Sequence, residues 1–172
     1  QKMLAAFSQA GVSESHFVSS TGYGYGDRGR DVLDQVYAYA FGAEDALVRH
    51  NFVSGTHTLT VALFGMLRPG DKMLCVTGTP YDTIQGVIGM EGREEPGSLK
   101  EFGIQYEELD LRPDGTPDLE AMEQRITPEY KLIYIQRSRG YSLRPSLRVQ
   151  DIAPIVQIVR KKAPKAIVMV DN

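Results

Sequence analysis

Short apolar segments rich in β-branched residues alternate along this sequence with longer segments of helical periodicity. The last apolar segment, Ala166–Val170, is unbroken, which is typical of a strand buried in a parallel sheet. Repeated strand–helix units predict an α/β fold, in which helices cover both faces of a mostly parallel sheet. Ligands of such sheets bind beyond the carboxyl ends of the strands, so we expect the functional residues directly after each strand.

The boundaries of the elements follow from the hydrophobic periodicity and from the glycine and proline turns. Helices are predicted over 30–41, 56–67, 81–88, 119–126 and 151–162, and strands over 46–49, 72–76, 104–109, 131–135 and 166–170. In the first helix the periodicity places Leu33, Val36, Tyr37 and Ala40 on the face toward the core.

The composition narrows the classes of function. A formal net charge of -3 gives no electrostatic reason to expect nucleic acid or anionic lipid as a partner, and no apolar run is long enough to span a bilayer. The single cysteine, Cys75, excludes an internal disulfide, fits a reducing, cytoplasmic compartment and is predicted to lie in the core. His16, His50 and His57 lack the spacing of metal ligands, so no metal site is predicted.

One glycine-rich stretch, Gly24–Gly29, matches the G-x-G-x-x-G pattern of dinucleotide-binding folds. Such a site requires a strand directly before the pattern and an acidic residue about 20 residues after it. Here residues 19–22 separate the pattern from Phe17 and Val18, and Arg49 lies near the position of the acid. An NAD(P)-binding oxidoreductase is therefore an alternative, beside a glycine-rich loop without a ligand.

Two further stretches follow predicted strands. Ser54, Gly55 and Thr56 open a helix, whose unpaired N-terminal N–H groups either bind a phosphate or are simply capped by Ser54. Tyr81, after the strand at 72–76, either stacks on a flat cofactor or covers the core. Both interpretations stay open for each stretch when it is considered alone.

The two remaining strand ends carry charged residues. The loop 136–141, QRSRGY, has two arginines, which suit a carboxylate or a phosphate or else form a solvated surface. Asp171 follows the last strand directly. A buried carboxylate is costly without a cationic partner, so Asp171 indicates a ligand that carries positive charge.

Pyridoxal 5'-phosphate (PLP) matches these features taken together. Its phosphate suits a helix N-terminus, its ring suits an aromatic neighbour, and its pyridine nitrogen suits a carboxylate that keeps the nitrogen protonated. The protonated ring is the electron sink of PLP chemistry. The sequence therefore predicts a PLP site formed by Ser54, Gly55, Thr56, Tyr81 and Asp171.

Four stretches of the sequence resemble one known family. They are TGYGYGDRGRD from residue 21, FGAEDALVRHNFVSGTHTLTVALFGMLRPGDKML from residue 41, TGTPYDTI from residue 77 and VMVDN from residue 168. They resemble the methionine gamma-lyase-like family that is often labelled aluminium resistance protein, which belongs to the fold type I PLP enzymes near the cystathionine lyases. The resemblance implies an N-terminal helical arm over 1–20 and, over 21–172, the N-terminal part of the large PLP-binding domain.

The resemblance also assigns roles to residues. It implies that Gly55 and Thr56 hold the phosphate, that Asp171 pairs with the pyridine nitrogen, and that Tyr81 stacks on the ring and is the catalytic candidate of this chain. By similarity to the related lyases, Tyr25 and Arg28 reach the phosphate of a neighbouring subunit, although the spacing between Tyr and Arg differs here. A homodimer or homotetramer is therefore expected.

Two departures from the family pattern stand out. The family binds PLP as a Schiff base on a lysine some tens of residues after the aspartate, and Lys72, Lys100 and Lys131 do not match that motif. Relatives also place an asparagine near the ring oxygen, whereas the loop 136–141 has none. The chain is therefore expected to be an incomplete part of the large domain, without the small C-terminal domain and inactive alone.

The expected function is that of a PLP-dependent carbon–sulfur lyase. The resemblance implies β- or γ-elimination of a thiol from a sulfur amino acid such as cystathionine or methionine, with the lysine as the base. A fold type I aminotransferase or decarboxylase is the alternative within the same fold.

Overall fold

A computed structural model describes residues 1–21, 23, 25–92 and 96–172. These residues form two compact units, Gln1–Val53 and Ser54–Asn172. The expected division into an arm over 1–20 and a large domain over 21–172 stays a prediction.

The first unit is helical. Helix α1 spans Lys2–Gln9, a short 3-10 turn spans Glu14–His16, and helix α2 spans Arg28–Phe41. The Oδ1 atom of Asp27 caps α2 by accepting from the backbone N–H of Arg30 at 3.3 Å. The prediction of a helix in this region is confirmed, with its start two residues earlier than expected.

The buried face of α2 differs from the predicted one. Val36 and Ala40 pack against Ala6 of α1, as expected. Leu33 and Tyr37, however, are 38% and 40% exposed. Small side chains let the two helices approach closely, so the larger ones lie beside this contact rather than inside it.

The prediction of a strand over 46–49 was wrong. This segment has no regular structure, and a side chain of α2 accepts hydrogen bonds from two of its groups. Asp34 Oδ1 accepts from the backbone N–H of Val48 at 2.7 Å and from Nη1 of Arg49 at 2.7 Å. A carboxylate here provides the hydrogen bonds that a neighbouring strand would provide in a sheet.

The second unit contains four parallel strands among the described residues. They are β1 (Lys72–Cys75), β2 (Gln105–Glu108), β3 (Tyr130–Gln136) and β4 (Ile167–Asp171), in the spatial order β2-β1-β3-β4. The helices between them are α3 (Gly55–Met66), α4 (Asp82–Ile88), α5 (Leu119–Arg125) and α6 (Val149–Lys162). The predicted α/β class is confirmed.

Alternate residues of the strands face two separate cores. On one face Ile133 packs with Met122 of α5 and Ile155 of α6. On the other face Cys75 packs in a cluster with Leu63 of α3. Both faces of the sheet are therefore covered by helices, and the prediction that Cys75 is a core residue is confirmed.

The last strand is less buried than predicted. Residues 167–171 are mostly half-buried, and Val170 is 40% exposed. Within the described residues β4 pairs with β3 alone, so one of its edges has no neighbouring strand in this chain. Asp171 itself belongs to the strand, and its carbonyl oxygen accepts from the backbone N–H of Arg137 at 2.9 Å.

Candidate functional site

The carboxyl ends of three strands are joined through one residue, Gln136. Its backbone N–H donates to Oγ1 of Thr77, just after β1, at 2.9 Å. Its side-chain Oε1 accepts from the backbone N–H of Tyr81 at 2.6 Å. Across the sheet Gln136 pairs in register with Asp171 of β4. The predicted residues Tyr81 and Asp171 therefore lie along the same edge of the sheet.

The N-terminus of α3 lies at this edge as well. Ser54 caps the helix by accepting from the backbone N–H of His57 at 3.1 Å. The hydroxyl oxygens of Thr56 and Thr83 lie 2.8 Å apart, which joins the first turn of α3 to the first turn of α4. Space around Gly55 is open, since a Cβ placed there would have no neighbour within 4 Å.

This helix start fits a phosphate group. The N–H groups of Gly55 and Thr56 belong to the first turn, where an α-helix supplies no acceptor of its own. They and the helix dipole favour an anion at this position. Capping by Ser54 and phosphate binding are compatible here, because the cap occupies the N–H of His57 and leaves the other two.

Tyr81 immediately precedes α4. Its carbonyl oxygen accepts from the backbone N–H of Ile84 at 2.9 Å. Its ring lies beside that of Tyr141, with 5.6 Å between centroids and 31° between planes. The neighbouring Tyr141 hydroxyl and partial burial raise the pKa of Tyr81 above its usual value. Tyr81 therefore presents a neutral phenol, a hydrogen-bond donor rather than a base, near neutral pH.

A cavity of about 530 Å³ lies against Tyr81, whereas neither the first turn of α3 nor Asp171 lines it. Its walls combine the strand ends, the start of α4 and the loop 136–141, whose role the sequence left open. The lining residues include Thr77, Tyr81, Asp82, Asp110, Gln136, Arg139, Gly140, Tyr141 and Arg144. Aromatic, cationic and carboxylate groups therefore surround one space at the edge where ligands of α/β sheets bind.

The arginines of this wall differ in their contacts. Arg144 Nη2 donates to the carbonyl oxygens of Ser138 at 2.7 Å and Gln136 at 3.3 Å. Arg144 thus shapes the loop, and partial burial lowers its pKa. The side chain of Arg139 is exposed and has no hydrogen-bond or ion-pair partner among the described residues.

Asp171 is held by a side chain of the neighbouring strand. The hydroxyl of Tyr134, a fully buried residue of β3, donates to Asp171 Oδ2 at 3.1 Å. Burial and the nearby carboxylate raise the pKa of Tyr134, so the phenol keeps its proton and its role as donor. Neither Tyr134 nor Gln136 was predicted as a site residue. In the sequence, the one feature that indicates them is their position near the end of an apolar segment.

The two remaining residues that were predicted to bind the cofactor, Tyr25 and Arg28, lie in the first unit. Tyr25 is 91% exposed, and Arg28 is the exposed first residue of α2. Their contact with the phosphate of a neighbouring subunit stays a prediction.

The glycine-rich stretch 24–29 has a structural explanation at one end. A Cβ at Gly29 would lie 2.6 Å from the carbonyl oxygen of His16, so the close approach of two backbone segments requires glycine. Gly24 lies outside the described residues. The described residues among 10–23 contain no strand, which a dinucleotide site needs. The nicotinamide interpretation therefore has no support in this part of the structure.

Other chemistries find no support in the described residues. No group of three or more His, Cys, Asp or Glu side chains there could hold a metal ion. No helix in the same ranges has the length and apolar character needed to cross a bilayer. No lysine of the described ranges lines the cavity, and Lys72 forms an ion pair with Glu129 at 2.6 Å instead.

Comparison with known proteins assigns the family. The sequence model of the methionine gamma-lyase family matches residues 1–172. A carbon–sulfur lyase involved in aluminium resistance from Clostridium novyi NT superposes with a TM-score of 0.93 and 50% identity, over 99% of this chain and 41% of that one.

Two sequence relatives agree with this assignment. The chain is 47% identical to YnbB, an uncharacterized protein of Bacillus subtilis, over 99% of this chain and 41% of the relative. It is 30% identical to L-methionine gamma-lyase of Pseudomonas putida, over 69% of this chain and 25% of that enzyme. The chain thus spans about two fifths of the length of the Clostridium novyi and Bacillus subtilis proteins, each of which it matches over 99% of its own length. It belongs to the methionine gamma-lyase family and has the α/β fold of the large domain of fold type I PLP enzymes.

Proposed function

We propose that this chain contributes the cofactor-binding part of a PLP-dependent carbon–sulfur lyase that acts on a sulfur amino acid. One observation carries the proposal: a helix start, an aromatic ring and a carboxylate lie along one edge of the sheet and are joined by contacts. The hydroxyl contact between Thr56 and Thr83 links α3 to α4, and Gln136 links Tyr81 to the strand beside Asp171.

Each group has a separate task in this proposal. The N–H groups of Gly55 and Thr56 bind the phosphate, and the ring of Tyr81 supports one face of the pyridine ring. Asp171 holds a proton at the pyridine nitrogen, and Tyr134 orients its carboxylate. PLP, when bound, supplies the electron sink for breaking the bonds of the substrate.

The base is proposed to lie elsewhere in the complete protein. No lysine of the described ranges lines the cavity, and the chain covers about two fifths of its relatives. A lysine from the rest of the protein would bind PLP covalently and move the substrate's proton. Tyr25 and Arg28 are proposed to complete the phosphate site of a second subunit.

The test uses the full-length protein that contains this chain. Purified with PLP, it is expected to show a visible absorption band that borohydride removes, and the Asp171→Asn variant is expected to bind PLP more weakly. Absence of the band even with added PLP would overturn the proposal.

The reaction type is tested by its products. A lyase releases a thiol, ammonia and a keto acid from cystathionine or methionine without a second substrate. An aminotransferase needs a keto-acid acceptor and releases no ammonia, and a decarboxylase releases carbon dioxide. Either of the last two results would keep PLP and replace the lyase assignment.

A further inference from the structure

Gln136 is one of the few buried polar residues in the described ranges, at 5% exposure. It is the last residue of β3, at the edge of the sheet where the cavity begins. The side chain of a glutamine at such a position is costly to bury unless its amide finds partners.

All polar groups of Gln136 have partners. Besides the bonds to Thr77 and Tyr81, its Nε2 donates to the carbonyl oxygen of Ser138 at 3.2 Å. Its own carbonyl oxygen accepts from Nη2 of Arg144 at 3.3 Å. With donor and acceptor both engaged, the amide has one orientation, so Oε1 is fixed in space.

The backbone of Tyr81 depends on that oxygen. Tyr81 is the residue directly before α4; its N–H takes part in neither the strand ladder nor the helix, and its side chain makes no capping bond. Its N–H is held by Gln136 at 2.6 Å, and its carbonyl oxygen is held by the first turn of α4. With both backbone groups fixed, the direction of the Cα–Cβ bond of Tyr81 is fixed, and the ring is restricted to the staggered rotamers that Gly140 and Tyr141 leave open.

We propose that Gln136 is a positioning residue, which acts through the backbone of Tyr81 to hold the aromatic ring where it stacks on the cofactor. This inference rests on the proposed PLP site. Gln136 itself touches neither substrate nor cofactor in this proposal. Its effect on PLP binding is therefore transmitted entirely by the ring of Tyr81.

A double-mutant cycle in the full-length protein tests this. Gln136→Met keeps the length of the side chain but removes the acceptor, Gln136→Glu keeps the acceptor, and Tyr81→Ala removes the ring but keeps the backbone N–H. The readouts are the apparent dissociation constant for PLP and, separately, the free energy of unfolding without PLP. Gln124→Met, the same change at an exposed position of α5, is the control.

Gln136→Met is expected to weaken PLP binding about tenfold, because the half-buried N–H of Tyr81 loses its acceptor and the ring is no longer held in the orientation that binds PLP. Gln136→Glu is expected to restore most of the affinity, and Gln124→Met to leave it unchanged. In the Tyr81→Ala background, Gln136→Met should cause no further loss of PLP affinity. Its cost in unfolding free energy should be the same in both backgrounds, because the N–H of residue 81 is still there.

Two results would overturn the inference. One is unchanged PLP affinity in Gln136→Met while Tyr81→Ala binds weakly. The other is an equal loss from Gln136→Met with and without the Tyr81 ring, which would show that Gln136 acts on the site by another route. If the wild-type protein binds no PLP, or if Tyr81→Ala binds PLP normally, the proposed PLP site is wrong, and the result does not bear on how Gln136 holds Tyr81.

Discussion

The hydroxyl of Tyr134 donates a hydrogen bond to Oδ2 of Asp171 over 3.1 Å. The two residues are on neighbouring strands, and Tyr134 is fully buried whereas Asp171 is half-buried at the end of β4. The contact gives the carboxylate a fixed orientation before any ligand arrives. Preorganised charge of this kind is what a cofactor nitrogen requires for strong pairing.

Removing this hydroxyl should weaken cofactor binding. Tyr134→Phe leaves the ring in the core but takes away a donor to a charged group, a contact worth about 1.5–3 kcal/mol. We expect the PLP affinity of the full-length protein to fall several-fold. Equilibrium titration with PLP measures the effect.

The matched control lies on the same strand. Tyr130 lies at the opposite end of β3 from Gln136, and its hydroxyl donates to Glu107 of β2. Tyr130→Phe should lower stability without changing PLP affinity. Equal losses of affinity in the two variants would contradict the role assigned to Tyr134.

A side chain at Gly140 should be destabilising. It has a φ of +55°, and a Cβ there would lie 3.0 Å from Cδ2 of Tyr81. Gly140→Ala therefore combines backbone strain with displacement of the Tyr81 ring, which we propose to stack on PLP, and we expect a loss of about 1–3 kcal/mol in unfolding free energy together with weaker PLP binding. Denaturant unfolding and PLP titration check both effects.

The Gly70→Ala variant separates the effect of backbone strain from the effect of displacing the Tyr81 ring. Gly70 has a φ of +90°, but a Cβ there would meet nothing within 4 Å. This variant should lose stability and keep PLP affinity. The prediction for Gly140 is wrong if its variant behaves in the same way.

Ser54 should have two measurable roles. Ser54→Ala removes the cap of α3, which typically costs about 1 kcal/mol of stability. Because the first turn of α3 is also the proposed phosphate site, we expect weaker binding of PLP and of inorganic phosphate. Asp118→Ala removes the equivalent cap from α5 and should cost similar stability with unchanged PLP affinity.

Cys75 should make the protein less stable in alkali. Burial raises the pKa of its thiol from 9.0 to about 11. The unfolded chain therefore loses this proton first, and stability falls as the pH rises from about 9 toward 11, by about 2 kcal/mol for this group. Denaturant unfolding across this range should show a shallower pH dependence in Cys75→Ala, while an identical slope would contradict the assignment.

The pattern of strands and helices was predictable because each element carries its own periodicity. Boundaries in the second unit agreed to within two residues, as in β3, predicted over 131–135 and observed as Tyr130–Gln136. The strand predicted over 46–49 failed because apolar composition alone does not supply a neighbour to pair with. On the core face of α2, Val36 and Ala40 were predicted correctly, whereas Leu33 and Tyr37 were not, because the partner helix decides which residues of that face are buried.

The sequence by itself determined the fold class and suggested three positions of the proposed site. Ser54 before a helix, Tyr81 after a strand and Asp171 at the end of another are local patterns, and local patterns follow from periodicity and capping. Only the tertiary structure decided that Gln136 holds Tyr81 and that Tyr134 holds Asp171. The partners in these bonds are 55 and 37 residues apart, and the parallel register of the strands, which no local segment encodes, brings them together.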